Sequence, residues 1–139
     1  MKLIVPLVLA LAATARADDQ FELKATDATV EVGGQTSISL TIAPAAGKVV
    51  SHDGPLKLEL GGGDGLALTR RRYARKDAAD PAADAPRFDL KIKATAAGDH
   101  TIDVDARFWL CGPKVCRPIR AKRTVTVHVT EPAAPPPPP

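Results

Sequence analysis

The sequence lacks the residue patterns of the common catalytic and metal-binding sites. Its one methionine is the initiator, which excludes a methionine-rich copper carrier. Its three histidines, His52, His100 and His128, lie at least 28 residues apart and form no metal-ligand spacing. Dinucleotide, P-loop and nucleophile-elbow motifs are absent as well. We therefore expect no metal ion and no cofactor.

Long apolar runs are absent beyond the first residues, where Lys2 is followed by an apolar stretch from Leu3 to Ala13. This stretch is too short to span a bilayer. It precedes Ala15-Arg16-Ala17, a small-x-small pattern typical of a signal-peptide cleavage site. The sequence therefore predicts a cleaved signal peptide at residues 1–17, no transmembrane segment in the mature chain, and a soluble periplasmic or secreted protein.

An excess of charge of one sign is also missing once the signal peptide is removed. Lys2 and Arg16 leave with it, so the 19 cations become 17 against 16 acids, a net charge of +1. A nearly neutral domain lacks the excess of cations on which binding to nucleic acid depends. We therefore expect a protein partner and no nucleic acid.

Apolar and polar residues alternate with a period of two along most of the remaining chain, which is typical of half-buried strands. No segment has the pattern of an amphipathic helix. The alternating stretches are 29–32, 36–42, 56–60, 88–92, 102–110 and 125–129. The pattern predicts an all-β fold for residues 18–130, an immunoglobulin-like antiparallel β-sandwich of about seven strands.

Three segments do not alternate. Residues 61–65 are rich in glycine and predict a turn between strands. Residues 70–86 predict a long mobile loop that carries Tyr73 and a basic run at 70–76, which is a candidate for binding an anionic surface. Residues 131–139 predict a disordered proline-rich tail.

The two cysteines, Cys111 and Cys116, are expected to form a disulfide, because the chain is exported and a Gly-Pro turn lies between them. One interpretation is a structural staple of a hairpin, which contributes only about 2 kcal/mol because the closed loop is short. The other is a reactive pair that exchanges with a partner thiolate through a mixed disulfide.

Strand parity and charge favour the reactive interpretation. Parity places Cys111 on the outward face together with Trp109, an aromatic side chain that can anchor a partner. Positive charge nearby favours the thiolate form of cysteine. Five cations follow the first cysteine within the sequence: Lys114, Arg117, Arg120, Lys122 and Arg123.

The strand that ends in Phe-Trp-Leu-Cys111, the short turn, Cys116 and the final valine-rich strand resemble the N-terminal periplasmic immunoglobulin-like domain of the DsbD-type thiol:disulfide interchange proteins. Residues 48–60 resemble the early strands of that family, and the resemblance extends over roughly residues 21–130. It implies that Cys111 and Cys116 are the redox pair and that a cap loop shields them, for which the loop with Tyr73 is the candidate by length. The spacing of the two cysteines is tighter than in that family.

Two functions follow. The first is an exported thiol-disulfide exchange domain whose catalytic residues are Cys111 and Cys116, with a thioredoxin-like protein or a membrane thiol reductase as partner and electron source. The second is a non-catalytic immunoglobulin-like binding or scaffold module with a structural disulfide. In either case the predicted binding residues are Trp109, Lys114, Arg117 and Tyr73.

Overall fold

The computed structural model of the chain describes residues 20–132. The predicted signal peptide at 1–17 lies outside the described residues, as does all of the proline-rich tail beyond residue 132. Both therefore stay predictions from the sequence.

Within residues 20–132 the chain forms ten β-strands and one 3₁₀ turn at Arg75–Asp77. The four strands that alternation did not predict, β1, β4, β6 and β7, contain two to five residues each. In chain order the strands are β1 (Phe21–Ala25), β2 (Ala28–Glu31), β3 (Gln35–Pro44), β4 (Val49–Val50), β5 (Lys57–Gly62), β6 (Leu66–Leu68), β7 (Arg72–Ala74), β8 (Arg87–Ala94), β9 (Gly98–Cys111) and β10 (Cys116–Thr130).

The strands form two sheets. The four-stranded sheet has the order β1-β3-β8-β6. The six-stranded sheet has the order β2-β10-β9-β5-β7, with β4 added to β9 beside its cysteine end. All neighbours are antiparallel except β2 and β10, which run parallel. The chain is thus an immunoglobulin-like β-sandwich, as the alternation predicts.

The core lies between the two sheets and is built from alternate residues of their strands. In β9, Val104, Phe108 and Leu110 are buried while Asp103, Arg107 and Trp109 are not, as parity predicts. Phe88, Leu40 and Leu58 are also fully buried. Each such side chain contributes about 1.5–3 kcal/mol when it leaves water. No polar or charged residue between 20 and 132 is buried.

The segment 70–86 differs from its prediction as a long loop. Its residues Arg72–Ala74 form β7, which pairs with β5, and the 3₁₀ turn follows directly. Asp77 accepts a hydrogen bond from the Ala74 N–H (2.8 Å) and so fixes this turn. Because β7 has only three residues, the alternation is too short to be visible in the sequence.

The glycine-rich stretch 61–65 is a turn between strands, as predicted. β5 ends at Gly62, and β6 begins at Leu66. Gly65 has a φ of +83°, and a Cβ at this position would collide with the His100 ring. Glycine is therefore required here for its backbone conformation and for space.

Candidate functional site

The two cysteines lie at the end of the longest hairpin of the described region. β9 and β10 pair along their whole length, and the register places Cys116 directly opposite Cys111. The Gly112 N–H donates a hydrogen bond to the Val115 carbonyl (2.9 Å), which closes the four-residue turn between the strands. The cysteines form a disulfide with their Cα atoms 4.0 Å apart. The predicted pairing of Cys111 with Cys116 is confirmed.

The two sulfur-bearing residues differ in their surroundings. β4 pairs with β9 so that Val49 lies opposite Cys111 on the side away from β10. Cys111 is therefore flanked by strands on both sides and is half-buried, whereas Cys116 lies on the sheet edge and is exposed. An attacking thiolate would reach Cys116 more easily than Cys111.

Trp109 lies on the outward face of the six-stranded sheet, as predicted, but it is not free on all sides. The residue is 36% exposed. The turn at residues 51–54 covers part of the ring, because a Cβ on Gly54 would lie 3.1 Å from Trp109 Cδ1. The Ser51 N–H also donates to the Trp109 carbonyl (2.8 Å). The ring thus has one side packed and one side available for contact.

An apolar cleft of about 280 Å³ lies on the other side of the disulfide, against the hairpin turn. Val115 is 57% exposed beside it. Among the residues that line the cleft are Lys48, Leu110, Pro113, Lys114, Val115 and Arg117. The predicted binding residues Lys114 and Arg117 are therefore brought together here, and Lys48 joins them from the segment before β4, which the sequence did not indicate.

The five cations predicted around the pair do not all lie near it. Arg120 donates to the carboxylate of Asp105 across the hairpin, with Nη2 and Oδ2 2.9 Å apart. This hydrogen bond lowers the pKa of Asp105 and raises that of Arg120. The positive charge of Arg120 is thus matched by an acid that parity places on the same outer face.

Arg123 is also removed from the disulfide. It is seven residues from Cys116 along an extended strand, which is roughly 23 Å. Its guanidinium donates to the Leu23 carbonyl (2.7 Å) and the Ala25 carbonyl (3.1 Å) of β1. The positive charge that the structure places at this end of the hairpin therefore comes from Lys48, Lys114 and Arg117, which line the cleft.

Tyr73 does not belong to this site. It is 7% exposed, and its ring packs edge-on against Phe88 at 6.2 Å between centroids. Burial raises the pKa of its hydroxyl. β7 is separated from β9 by β5, so Tyr73 lies in the core and not over the disulfide. This position gives no support to the predicted binding role or to a cap formed by this segment.

The basic run at 70–76 is largely used within the domain. Arg70 pairs with Asp77 (2.7 Å) and lies over the Tyr73 ring. Arg71 donates to two main-chain carbonyls of β5. Arg75 donates to main-chain carbonyls of residues 50, 51 and 81. These cations hold neighbouring segments together, so most of the run is not available as the anionic-surface site that the sequence suggested.

Two further properties of the described region bear on function. No helix in residues 20–132 is long and apolar enough to cross a membrane. Over the same residues, no group of three or more His, Cys, Asp or Glu side chains is placed to hold a metal ion. His52 and His128 each contact one aspartate, Asp84 and Asp99, at 2.7 Å on the surface.

The fold and the site define an immunoglobulin-like β-sandwich with a disulfide-closed hairpin. Among solved structures, the chain is similar to domains 4 and 5 of the S-layer protein SbsC, with a TM-score of 0.42, 12% identity, and coverage of 78% of this chain and 50% of that one. It is also similar to AggA, the major subunit of aggregative adherence fimbriae type I from Escherichia coli, with a TM-score of 0.37, 10% identity, and coverage of 79% and 94%. The chain thus spans half the length of the S-layer fragment. No protein-family profile and no curated protein sequence matches it.

Proposed function

We propose that this chain is an exported immunoglobulin-like binding or scaffold module in which the Cys111–Cys116 disulfide is a structural staple. One observation carries the proposal. The large apolar side chains that are exposed within residues 20–132, Trp109 and Val115, both lie on the hairpin end that the disulfide closes. The disulfide therefore holds in place the part of the surface that is best suited to contact a protein partner.

The staple acts where the hairpin is weakest. β4 supports only the β9 side of this end, and no strand between residues 20 and 132 pairs with the opposite edge of β10 here. Strand ends with few neighbours fray at low cost in free energy. A cross-link between directly opposed residues prevents that fraying, and its entropic contribution is about 2 kcal/mol.

The chemistry of the site favours a protein as the partner. Trp109 offers a flat ring with one packed side, which is the type of residue that anchors interfaces. Lys48, Lys114 and Arg117 line the apolar cleft on the far side of the disulfide, with no acid among its lining residues. A partner with an apolar side chain flanked by carboxylates would complement this end of the domain. The predicted signal peptide places the encounter in the periplasm or outside the cell.

Thiol-disulfide exchange is the second candidate, and the exposure of Cys116 favours it. A partner thiolate would attack Cys116 Sγ, which forms a mixed disulfide and releases Cys111 as the thiolate. A second thiolate of the partner would then displace Cys116, so that the partner dithiol is oxidised and the domain is reduced by two electrons. The resemblance to the N-terminal domain of DsbD-type proteins supports this alternative, in which a dithiol partner supplies the electrons.

The reduction potential of the disulfide distinguishes the two functions. It is measured by equilibrating the folded chain in glutathione or dithiothreitol buffers and tagging free thiols for mass spectrometry. For a staple we expect a potential below about −300 mV. A value between about −120 and −270 mV, with rapid exchange in the folded state, would overturn the staple and establish the exchange function.

A further inference from the structure

Among the residues that the structure describes, a long stretch of β10 has a neighbouring strand on one side only. β9 pairs with β10 from Cys116 to Val129. On the opposite side, β2 pairs with β10 only between Val127 and Thr130. From Cys116 to Thr126, β10 is therefore an edge of the six-stranded sheet, and an edge strand offers main-chain groups to a further strand.

The register shows which main-chain groups face this open edge. The Gly112–Val115 hydrogen bond makes the next pair, Cys111 and Cys116, a pair that does not exchange hydrogen bonds. In an antiparallel ladder such pairs alternate with hydrogen-bonded ones. The N–H and C=O groups of the even-numbered residues of β10 therefore point away from β9, toward the open edge.

Two details of the structure agree with this assignment. The Thr126 N–H is bonded from the open side by Asp27 Oδ1, at 3.1 Å. Pro118, which has no N–H, also occupies an even-numbered position, so no hydrogen bond between β10 and β9 is lost there. The open donors between these two residues are the N–H groups of Arg120, Lys122 and Thr124, for which residues 20–132 provide no partner.

A groove of about 820 Å³ runs beside this edge, between β10 and β1 of the other sheet. Phe21, Leu23 and Ala121 supply part of the apolar surface of a lining that is otherwise largely charged. On the β1 side, Arg123 already bonds the outward carbonyls of Leu23 and Ala25. Arg123 therefore occupies two of the carbonyls that β1 would offer to a further strand, whereas the outward main-chain groups of Arg120, Lys122 and Thr124 in β10 have no partner among residues 20–132.

The charge of the groove indicates which kind of strand can bind in it. Its lining has four cations, Lys24, Arg120, Lys122 and Arg123, and one acid, Glu22. Arg120 is paired with Asp105, and Arg123 is bonded to two carbonyls of β1, so Lys24 and Lys122 are the cations left for an occupant. If a second copy of the chain paired through the same edge, its cations would lie against these cations, which is unfavourable. An acidic strand would instead place opposite charges side by side.

We propose that β10 accepts an extended acidic segment of a protein partner, which adds to the six-stranded sheet along Arg120–Thr124. Every second side chain of that segment is acidic and lies beside Arg120 and Lys122 on the outer face. The alternate side chains are apolar and lie in the groove over Ala121. Main-chain hydrogen bonds supply the affinity and the alternating side chains supply the specificity, as in other cases of strand addition. The surface does not depend on the role of the disulfide.

The test uses the full chain labelled with ¹⁵N and a synthetic peptide, acetyl-Glu-Val-Glu-Val-Glu-Val-amide, followed by NMR and amide hydrogen exchange. We expect the peptide to shift the amide signals along residues 120–124 and to slow the hydrogen exchange of Arg120, Lys122 and Thr124. The exchange of Ala121 and Arg123, whose N–H groups are already bonded to β9, should stay unchanged. Two control peptides should each bind at least about tenfold more weakly. One has lysine in place of glutamate and so loses the charge pairs. The other is N-methylated on the edge that would face β10 and so loses the edge hydrogen bonds.

Two variants separate main-chain pairing from charge. Lys122→Pro removes an outward N–H that β9 does not use, and we expect about a tenfold loss of peptide affinity. Lys122→Thr keeps that N–H and removes the charge, so its loss should be smaller. The N-methylated peptide tests the same point on the unaltered chain if the proline variant fails to fold. The proposal would be overturned if the methylated or the lysine peptide bound equally well, or if the edge amides stayed unchanged. A concentration-dependent dimer through this edge would overturn it as well.

Discussion

Arg123 of β10 donates a hydrogen bond to the main-chain carbonyl of Leu23 in β1, with Nη1 and O 2.7 Å apart. A second bond joins its Nη2 to the Ala25 carbonyl at 3.1 Å. β10 and β1 belong to different sheets. One inward-pointing cation therefore links the edges of both sheets. The alternation of Val125 and Val127 would predict an apolar side chain at its position.

Replacing Arg123 by methionine should lower the free energy of unfolding by about 1–2 kcal/mol, because the two carbonyls lose their donors. The aliphatic stem is retained, so little packing is lost. Arg120→Met is the matched control, since it removes an exposed ion pair, which solvent screens. Urea unfolding measures both. Equal losses would show that the link between the sheets contributes no more than a surface pair.

Replacing both cysteines by serine should leave the domain folded and lower the free energy of unfolding by about 2 kcal/mol. The apolar core lies between the sheets and does not include the hairpin turn, so it can form without the cross-link. This outcome is checked by circular dichroism and thermal unfolding of the variant, with the oxidised and the reduced parent chain measured for comparison. A chain that fails to fold without the disulfide would contradict it.

Two glycines with similar backbone conformations should respond differently to alanine. Gly47 and Gly65 have φ values of +80° and +83°, but a Cβ on Gly47 meets nothing within 4 Å, whereas one on Gly65 collides with the His100 ring. Gly47→Ala should cost about 1–2 kcal/mol from the left-handed conformation alone. Gly65→Ala should cost clearly more in urea unfolding. Similar costs would mean that the His100 ring moves aside freely.

Stability should fall in acid partly through Asp77. The Ala74 N–H and then the Arg70 guanidinium, both hydrogen-bonded to its carboxylate, lower the pKa of Asp77 below the ordinary 3.8. A carboxyl whose pKa is lower in the folded state stabilises the fold above its unfolded pKa, and this contribution is lost as the pH falls below about 3.8 through the folded pKa. Asp77→Asn should therefore flatten the dependence of the melting temperature on pH in that range. Asp53→Asn, at an exposed residue, is the control for the loss of one carboxylate charge.

Amide hydrogen exchange in the chain without a partner should alternate along β10. The N–H groups of Ala121 and Arg123 face β9 and should exchange slowly, whereas those of Arg120 and Lys122 face the open edge and should exchange fast. Thr126, whose N–H is bonded to Asp27, should be slow in the parent chain and fast in Asp27→Ala. Uniform protection from residue 119 to residue 126 would show that the edge is already occupied.

Much of the fold prediction rests on strand parity. The alternation of Val104 and Phe108 with Asp103 and Trp109 fixes which face of β9 is buried, because each strand of a sandwich has one apolar face. The pairing of the cysteines was predicted from the Gly-Pro turn between them and from the signal peptide, and the alternation indicated the outward face of Cys111. These are local properties, and local periodicity is sufficient to find them.

The remaining features depend on contacts between distant segments. β4 has only two residues, yet it determines that Cys111 is half-buried and Cys116 exposed. Tyr73 is buried because β7 pairs with β5, which three residues of alternation cannot indicate. Arg123 is a third case. Its inward direction follows from parity, but its bonds to β1 require the two sheets to be assembled.

The parallel pairing of β2 with β10 has a mechanical consequence. Ala28–Glu31 and residues 127–130 run side by side in the same direction, close to the two ends of the domain. If the ends were pulled apart, β2 and β10 would slide past each other, so that all of their hydrogen bonds would be loaded together. An antiparallel pair pulled open from one end breaks its bonds one after another and yields at a lower force. Under tension along its chain, this domain is expected to resist at the β2–β10 pair once β1 has separated from β3.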